Sequence, residues 1–391
     1  MVSLLVIVPD RISDIITKGE YIPRYYNPGN LFDEVHIIMT NDDCPDRAAL
    51  QKTAGRAKLF IYNLPPPSFI KTLGWQSQLI KKWVDDGIQV AKKINPAVIR
   101  THGNLENGYL ALHIKKALNV PLVVSLHINP DEDVRGRISL WNNWKNFFNY
   151  FYTWRMLSFE NETLNNADWV LPVYEPIREY AHRHGARKIK VCYNIINQEN
   201  LQPKISYELN EPPHIISVGR QFAEKNPDNI IRAIACIPNL QFTIVGDGPY
   251  HENLINLVCK LNLQDRVFFR KSIPNDELCQ QLHTFDIFVT HTEYYELSKS
   301  VLESLLCGLP VLLNKRKGYP VPELQGDFVC LANNTPDDYY NALKRLLDNH
   351  DEREQLGRRA FEHAQSMWAP EKTELEYKKI YQSLLFECNR L

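Results

Sequence analysis

The feature that most constrains this chain is a set of twelve short apolar, β-branched runs, separated by amphipathic helical stretches. They fall into two series. The first comprises Leu4–Pro9, Glu34–Met39, Leu59–Tyr62, Val98–Thr101, Leu122–Leu126 and Trp169–Val173. The second comprises Ile215–Val218, Phe242–Val245, Val267–Phe269, Ile287–Val289, Val311–Leu313 and Val329–Leu331. Runs that are apolar throughout, rather than alternating, mark parallel strands covered by helices on both faces. Between the series lies NIINQENLQPKISYELNEPPH, polar and Pro-containing, which reads as a linker. The expected architecture is α/β, with two doubly wound Rossmann-like domains over 1–198 and 199–369. A final segment, 370–391, has no strand after it. Its Leu375, Tyr377, Ile380, Tyr381, Leu384 and Leu385 follow a helical period, giving a helix that can dock on either domain.

Composition narrows the function class. With 391 residues, 44% hydrophobic and 23% charged, the chain is long enough for two cores and too apolar for disorder. A net charge of -1 argues against nucleic acid as the main partner. The charge is unevenly spread: up to Gln198 there are 24 Lys and Arg against 19 Asp and Glu, and beyond it 21 against 27. Eight cysteines are scattered with no C-x-x-C pair. Several lie in apolar runs such as Ile234-Ala235-Cys236-Ile237, and they read as buried thiols of a reducing compartment. The opening MVSLLVIVPDR is too short for a signal peptide, and no run reaches the length of a membrane span. A cytoplasmic protein is expected, with room for peripheral contact at the inner face of a membrane. The oligomeric state is left open.

In open α/β sheets, ligands bind beyond the carboxyl ends of the strands, where helix N-termini point. Three such strand ends in the second series carry chemistry. At the first, Ile215–Val218 breaks at Gly219, and Arg220 and Lys225 project from the loop that leads to Asn226-Pro227-Asp228, read as N-cap, first helical position and first turn. Two cations there either neutralise a diphosphate or make ordinary surface ion pairs. At the second, FVTHTEYYELSKSVLESLLCGLP holds Glu293, Tyr294, Tyr295 and Glu296 before a helix ending at Gly308. Ser300 and Glu303 have S-x-x-E spacing, so Glu303 is either half of a capping box or a ligand-holding carboxylate. The third, Val245-Gly246-Asp247-Gly248-Pro249, lacks the last glycine of the dinucleotide fingerprint, which disfavours a dehydrogenase.

Taken in order, these segments resemble the family-4 glycosyltransferases, nucleotide-sugar-dependent enzymes of two-domain GT-B architecture. The resemblance is carried by SVGRQFAEKNPDNIIRAI, FTIVGDGP, VFFRKSIPNDEL, DIFVTHTEYYELSKSVLESLLCGLPVL and GYPVPEL, and more weakly by VIRTHG, VPLVVSLH, ADWVLPVYEPI and KIKVCYNI. It implies two domains facing a central cleft, the first binding acceptor and the second donor, with the last helix crossing back to the first. It further implies that Arg220 and Lys225, beyond Gly219, bind the donor diphosphate of a UDP- or GDP-sugar. Ser300 and Val301 would offer backbone N–H groups to the phosphates, Glu303 would hold the ribose hydroxyls and Ile273 would touch the base. His127, closing the strand VVSL, takes the place of the family histidine near the donor sugar. His102, in THG, is a second candidate on the acceptor side.

The chain departs from the family at one place. Where the family sets a glutamate eight positions before the second one, Tyr295 precedes Glu303, and Glu296 follows it. Either Glu296 or Glu293 reaches the sugar through an altered loop, or the contact is lost. The glycines usual after the first strand are also replaced, leaving Gly19 as the candidate for close backbone approach to the donor. The implied reaction is hexosyl transfer with retention of configuration. Cations and helix N–H groups stabilise the leaving nucleoside diphosphate. No metal is required, and Asn41-Asp42-Asp43 and Asp131-Glu132-Asp133 read as solvated loop charges. The alternative is a catalytically silent nucleotide-sugar-binding or scaffold protein of the same fold.

On the acceptor side, nine aromatics crowd Trp141 to Phe159, with Trp141, Trp144, Phe148 and Phe151 on one helical stripe among Arg135, Arg137, Lys145 and Arg155. They form either a helix wedged between neighbours, a sugar-stacking platform, a dimer surface or an interfacial patch. A glycan or lipid-linked acceptor follows from that bias as a hypothesis.

Overall fold

The computed structural model describes residues 1–67, 77–129, 159–225 and 227–387. Trp141, Trp144 and the rest of the aromatic segment before Phe159, Asn226, and the Asp131-Glu132-Asp133 cluster lie outside the described residues. The chain divides into two compact units: Met1–Ile195 with Glu371–Leu391, and Ile196–Pro370.

Unit 1 is built on six parallel strands, β1 (Ser3–Val8), β2 (Glu34–Met39), β3 (Lys58–Asn63), β4 (Val98–His102), β5 (Leu122–Leu126) and β6 (Trp169–Pro172), in the order β3-β2-β1-β4-β5-β6. Unit 2 repeats the plan with β7 (His214–Val218), β8 (Gln241–Val245), β9 (Val267–Arg270), β10 (Ile287–Thr290), β11 (Val311–Asn314) and β12 (Cys330–Ala332), in the order β12-β11-β10-β7-β8-β9. All twelve apolar runs are strands, and each sheet has the doubly wound order that reverses beside its first strand. The reversal opens a crevice at the carboxyl ends of β1 and β4 in unit 1, and of β7 and β10 in unit 2. Strands β1, β4 and β5 are buried along their whole length, as helices on both faces require.

The helix Pro370–Glu387 belongs to unit 1. Its Tyr377, Ile380, Tyr381, Leu384 and Leu385 are buried in the core that also contains Leu4, Val6, Phe32 and Val35. At about 1.5–3 kcal/mol per fully buried large side chain, this is integral packing and not a loose tail. Arg24 fixes the first turn through Nε and a second guanidinium nitrogen to Glu374, at 2.7 and 2.8 Å, and the Gly29 amide donates to the same carboxylate at 2.8 Å. Leu375, counted on the apolar stripe, is instead 46% exposed; the buried neighbour is Thr373.

The polar segment after Ile195 is anchored on unit 2 rather than free. The Arg353 guanidinium donates twice to the Tyr207 carbonyl at 2.7 and 2.9 Å, and the Tyr207 hydroxyl donates to Gly308 O at 3.0 Å. Among the described residues all cysteines are thiols, with Cys192, Cys279, Cys307 and Cys330 buried. Cys44, Cys236 and Cys259 correct the sequence expectation: all three are exposed, Cys236 as the C-cap of the helix Asp228–Ala235. No helix among the described residues is long and apolar enough to cross a membrane.

Candidate active site

The crevice of unit 2 is built from the loop after β7, the turn after β8 and the start of the helix Lys299–Cys307. Gly219 ends β7 with its amide donating to Val245 O at 3.0 Å, and Gln221 N donates to Asp247 O at 3.1 Å. The Gln221 side chain donates to Gly246 O at 2.8 Å and contacts His251 Nδ1 at 2.6 Å. This backbone contact explains the glycine turn of β8: a Cβ on Gly246, whose φ is +140°, would stand 1.9 Å from Gly219 O, and one on Gly248 2.3 Å from Gln221 O. The glycines serve to seat one loop on another, and no dinucleotide fingerprint is needed to account for them.

That seat presents two cations. Arg220 is exposed, and among the described residues no carboxylate pairs with it. Lys225 closes the short 3-10 turn Ala223–Lys225, and its ammonium donates to the Glu296 carboxylate while lying 4.6 Å from the centre of the Tyr294 ring. Lys225, Glu296, His291, Ser298 and Ser300 line one cavity with Gly219. The expected N-cap, Asn226, is outside the described residues; the helix begins at Asp228 with Pro227 in the N-cap position.

The helix Lys299–Cys307 starts two residues before the S-x-x-E motif suggested. Its N-cap is Ser298, extended at φ -70° and ψ 149°, whose hydroxyl accepts from Val301 N at 3.4 Å. Leu297 and Leu302 are both buried, in the two positions of a hydrophobic staple. Ser300 is therefore not the cap; its hydroxyl donates to Val218 O at 3.0 Å and ties the helix start to the end of β7. Glu303 is consequently not part of a capping box. It is 1% exposed, accepts from Asn275 Nδ2 at 2.8 Å and lies 3.7 Å from Lys299 Nζ. Ile273 is half-buried beyond β9. The loop carrying Glu296 is held by Glu293 N donating to Glu224 O at 2.8 Å and by Arg316 Nε donating to Glu293 O at 2.9 Å, with the Arg316 guanidinium 4.8 Å from the Tyr295 ring centre.

In unit 1, His127 follows β5 and His102 ends β4, their ring centroids 4.9 Å apart. The Tyr25 hydroxyl lies 3.5 Å from His127 Nε2. Beneath them Arg100, 1% exposed, donates from Nε to Ser125 Oγ at 2.9 Å and sits between the rings of Tyr25 and Tyr377, at 5.1 and 4.9 Å. Burial and then the Arg100 charge push both imidazoles down, His127 to about 4 and His102 well below the ordinary value; a hydrogen bond with the Asn194 side chain opposes the fall at His127. Both rings are neutral at pH 7. Gly19 is buried in the turn after the helix Ile12–Thr17 with φ +65°, a conformation that by itself calls for glycine. In the Asn41-Asp42-Asp43 cluster, Asp42 pairs with Arg11 at 2.8 Å and Asp43 accepts from Ser13 N at 2.8 Å. Among the described residues no three His, Cys, Asp or Glu side chains gather as metal ligands.

The family model for glycosyl transferases group 1 matches residues 199–363, and that for Glycosyltransferase Family 4 matches residues 31–200. The chain belongs to the family-4 glycosyltransferases. Over 374 residues this glycosyltransferase is 24% identical to the sulfoquinovosyl transferase SQD2 of Arabidopsis thaliana, covering 90% of this chain and 68% of that protein. It is also 24% identical to the N-acetyl-alpha-D-glucosaminyl L-malate synthase of Bacillus anthracis, covering 76% and 77%. Among solved structures, the sucrose-phosphate synthase of Thermosynechococcus elongatus superposes with a TM-score of 0.71 at 17% identity, covering 99% of this chain and 100% of that one. HepE of Anabaena in complex with UDP superposes with a TM-score of 0.70 at 16% identity, covering 97% and 100%. The architecture is thus GT-B.

Several residues of the candidate site were not singled out from sequence: Ser298 as the cap, Asn275 on Glu303, His291 on the cavity wall and Arg316 behind Tyr295. Only Ser298 had a usable signal, the extended position before a lysine-led helix flanked by Leu297 and Leu302. The others depend on contacts between distant segments.

Proposed function

We propose that this glycosyltransferase moves a hexose from a UDP- or GDP-sugar to a glycan or glycolipid acceptor, with retention of anomeric configuration. Unit 2 takes the donor and unit 1 the acceptor. The observation that carries the proposal is the pairing, at the β7/β10 reversal, of a glycine-opened cationic loop bearing Arg220 and Lys225 with the N-terminus of the helix Lys299–Cys307. A helix start and two cations form an anion site suited to a diphosphate. As the sugar departs, the same groups stabilise the charge growing on the nucleoside diphosphate, and its phosphate oxygen takes the acceptor proton. The two cations supply the charge that a divalent metal would otherwise bring. Glu303, one turn into the helix, holds the ribose hydroxyls, Ile273 touches the base, and Glu296 reaches the sugar after parting from Lys225. His127, neutral, is the hydrogen-bond donor to the reacting sugar. Its neighbour UDP complexes, HepE with UDP and with UDP-glucose, support a nucleotide-sugar donor.

The test is release of nucleoside diphosphate from a panel of UDP-, GDP- and ADP-sugars. Slow hydrolysis of one member is the expected result. Tyr295, standing where the family has a glutamate, favours a second reading, a silent nucleotide-sugar binder; binding of nucleotides with no donor cleaved under any acceptor extract would select it. The basic first half supports an acceptor presented at an anionic membrane on the cytoplasmic side, which sedimentation with anionic liposomes at low salt tests.

A further inference from the structure

The helix Asn275–Gln281, which follows β9, turns one face to Glu303, a carboxylate 1% exposed in the helix Lys299–Cys307. We infer that Asn275 is a positioning residue for nucleotide recognition: by holding the Glu303 carboxylate it sets how strictly the site demands a ribose over a 2′-deoxyribose. The inference rests on the ribose role of Glu303 proposed above and concerns what aims that carboxylate.

Asn275 Nδ2 donates to Glu303 Oε1 at 2.8 Å, and Asn275 Oδ1 accepts from Lys299 Nζ at 3.2 Å. Lys299 Nζ itself stands 3.7 Å from the same carboxylate oxygen. The amide thus lies between an anion and a cation, its donor end to one and its acceptor end to the other, which fixes the way round that it sits. One turn along the same helix lies Cys279, 1% exposed. Burial and then the Glu303 charge push its thiol up, with Lys299 opposing. Two side chains four residues apart on one helix, and so on one face of it, are both turned to a single carboxylate.

A carboxylate on a flexible stem holds a pair of hydroxyls well only if its orientation is fixed before the ligand arrives. Lys299 is poorly suited to fix it. An ammonium is a point charge on a four-carbon stem, and this side chain is 27% exposed, so it supplies charge and gives way to a ligand. Asn275 is well suited: it makes one directional bond from a short side chain rooted at the start of a helix. Being neutral, it leaves the charge of Glu303 to the ligand, and it takes only one of the acceptor positions on the carboxylate. It also stands two residues after Ile273, proposed to touch the base, so one short segment carries both the base contact and the hold on Glu303.

The experiment is calorimetric titration of the full chain with UDP and GDP and with their 2′-deoxy counterparts. The parent should prefer the ribonucleotide by about tenfold or more, as expected for a hydrogen bond to a charged group. Asn275→Ala should bring that preference within about threefold by weakening the ribonucleotide, while the 2′-deoxy nucleotide keeps its affinity within about twofold. Asn275→Asp, which sets a like charge against Glu303, should do the same. The retained affinity for the 2′-deoxy nucleotide is the control for folding, because it needs the folded unit and not the 2′-hydroxyl. The inference is overturned if both variants keep the preference of the parent, or if they weaken the two nucleotides equally, as a merely structural contact would. Glu303→Ala is a separate readout. Loss of the preference there, with its retention in Asn275→Ala, refutes this inference alone; retention in Glu303→Ala, or a parent without the preference, refutes the ribose role of Glu303 and this inference with it.

Discussion

Lys225 donates its ammonium hydrogen to the Glu296 carboxylate, a contact spanning 71 residues that joins the loop after β7 to the loop after β10. The two residues proposed for different parts of the donor, diphosphate and sugar, hold each other. Their side chains are 20% and 19% exposed, so the pair is partly screened and worth little to stability. Its consequence is for binding: a diphosphate must displace Glu296 to reach Lys225.

Glu296→Gln removes that competition. Affinity for UDP or GDP alone, measured by calorimetry, should rise by about two- to fivefold, the equivalent of about 0.4–1 kcal/mol. Donor hydrolysis should fall in the same variant, because the carboxylate is then missing from the sugar. Unchanged affinity would show that the pair does not gate the site.

Gly246→Ala should be among the most damaging single substitutions in unit 2. The new methyl would stand 1.9 Å from Gly219 O at a φ of +140°, so the loop bearing Arg220 and Lys225 must shift. Destabilisation of about 2–4 kcal/mol is expected from the urea midpoint, with loss of nucleotide binding. Gly219→Ala is the contrast. Its Cβ would meet nothing within 4 Å, so stability should change by less than about 1 kcal/mol.

Ser298→Ala tests the corrected helix start. Loss of the N-cap should cost about 1 kcal/mol in thermal or denaturant unfolding. Ser300→Ala removes the tie to Val218 O and a 3.4 Å contact with the Ser298 hydroxyl, and should leave the helix start capped by Ser298. If Ser300→Ala proves the costlier change in helix stability, the cap is misassigned.

These contrasts mark what could be read from the chain. Every strand was legible, because runs buried on both faces are written as unbroken apolar residues such as Leu4-Leu5-Val6-Ile7. The cation loop and both Glu positions were legible as strand-end motifs. The helix start was not: Ser298 and Ser300 are both serines, and the choice turns on which one takes extended dihedrals while Leu297 and Leu302 go inside. Cys236 and Leu375 were misplaced because an apolar run says nothing about which residue ends a helix or faces out. Arg100, buried between Tyr25 and a tyrosine of the last helix, depends on contacts that no local pattern records.

His127 makes folding pH-dependent. Its folded value is about 4 against an ordinary 6.5, so below about pH 6.5 the unfolded chain binds the proton more readily and stability falls with pH. The contribution is fully present above pH 6.5, is lost progressively down to about pH 4, and amounts to at most about 3 kcal/mol. His127→Asn should lessen the slope of the unfolding free energy between those values by the share of one proton, leaving the contribution of His102, which is likewise held down. An unaltered slope would show that His127 is not the group being held neutral.

The donor-site assignment is tested most directly by calorimetric titration of UDP and GDP into the parent protein and into Arg220→Ala with Lys225→Ala. The parent should bind at least one of the two nucleotides. The double variant should lose at least about a hundredfold in affinity, as expected when two charge-assisted contacts to one diphosphate are removed, while keeping its thermal midpoint. Affinity within about twofold of the parent would contradict the assignment, because these two cations would then not be what holds the diphosphate.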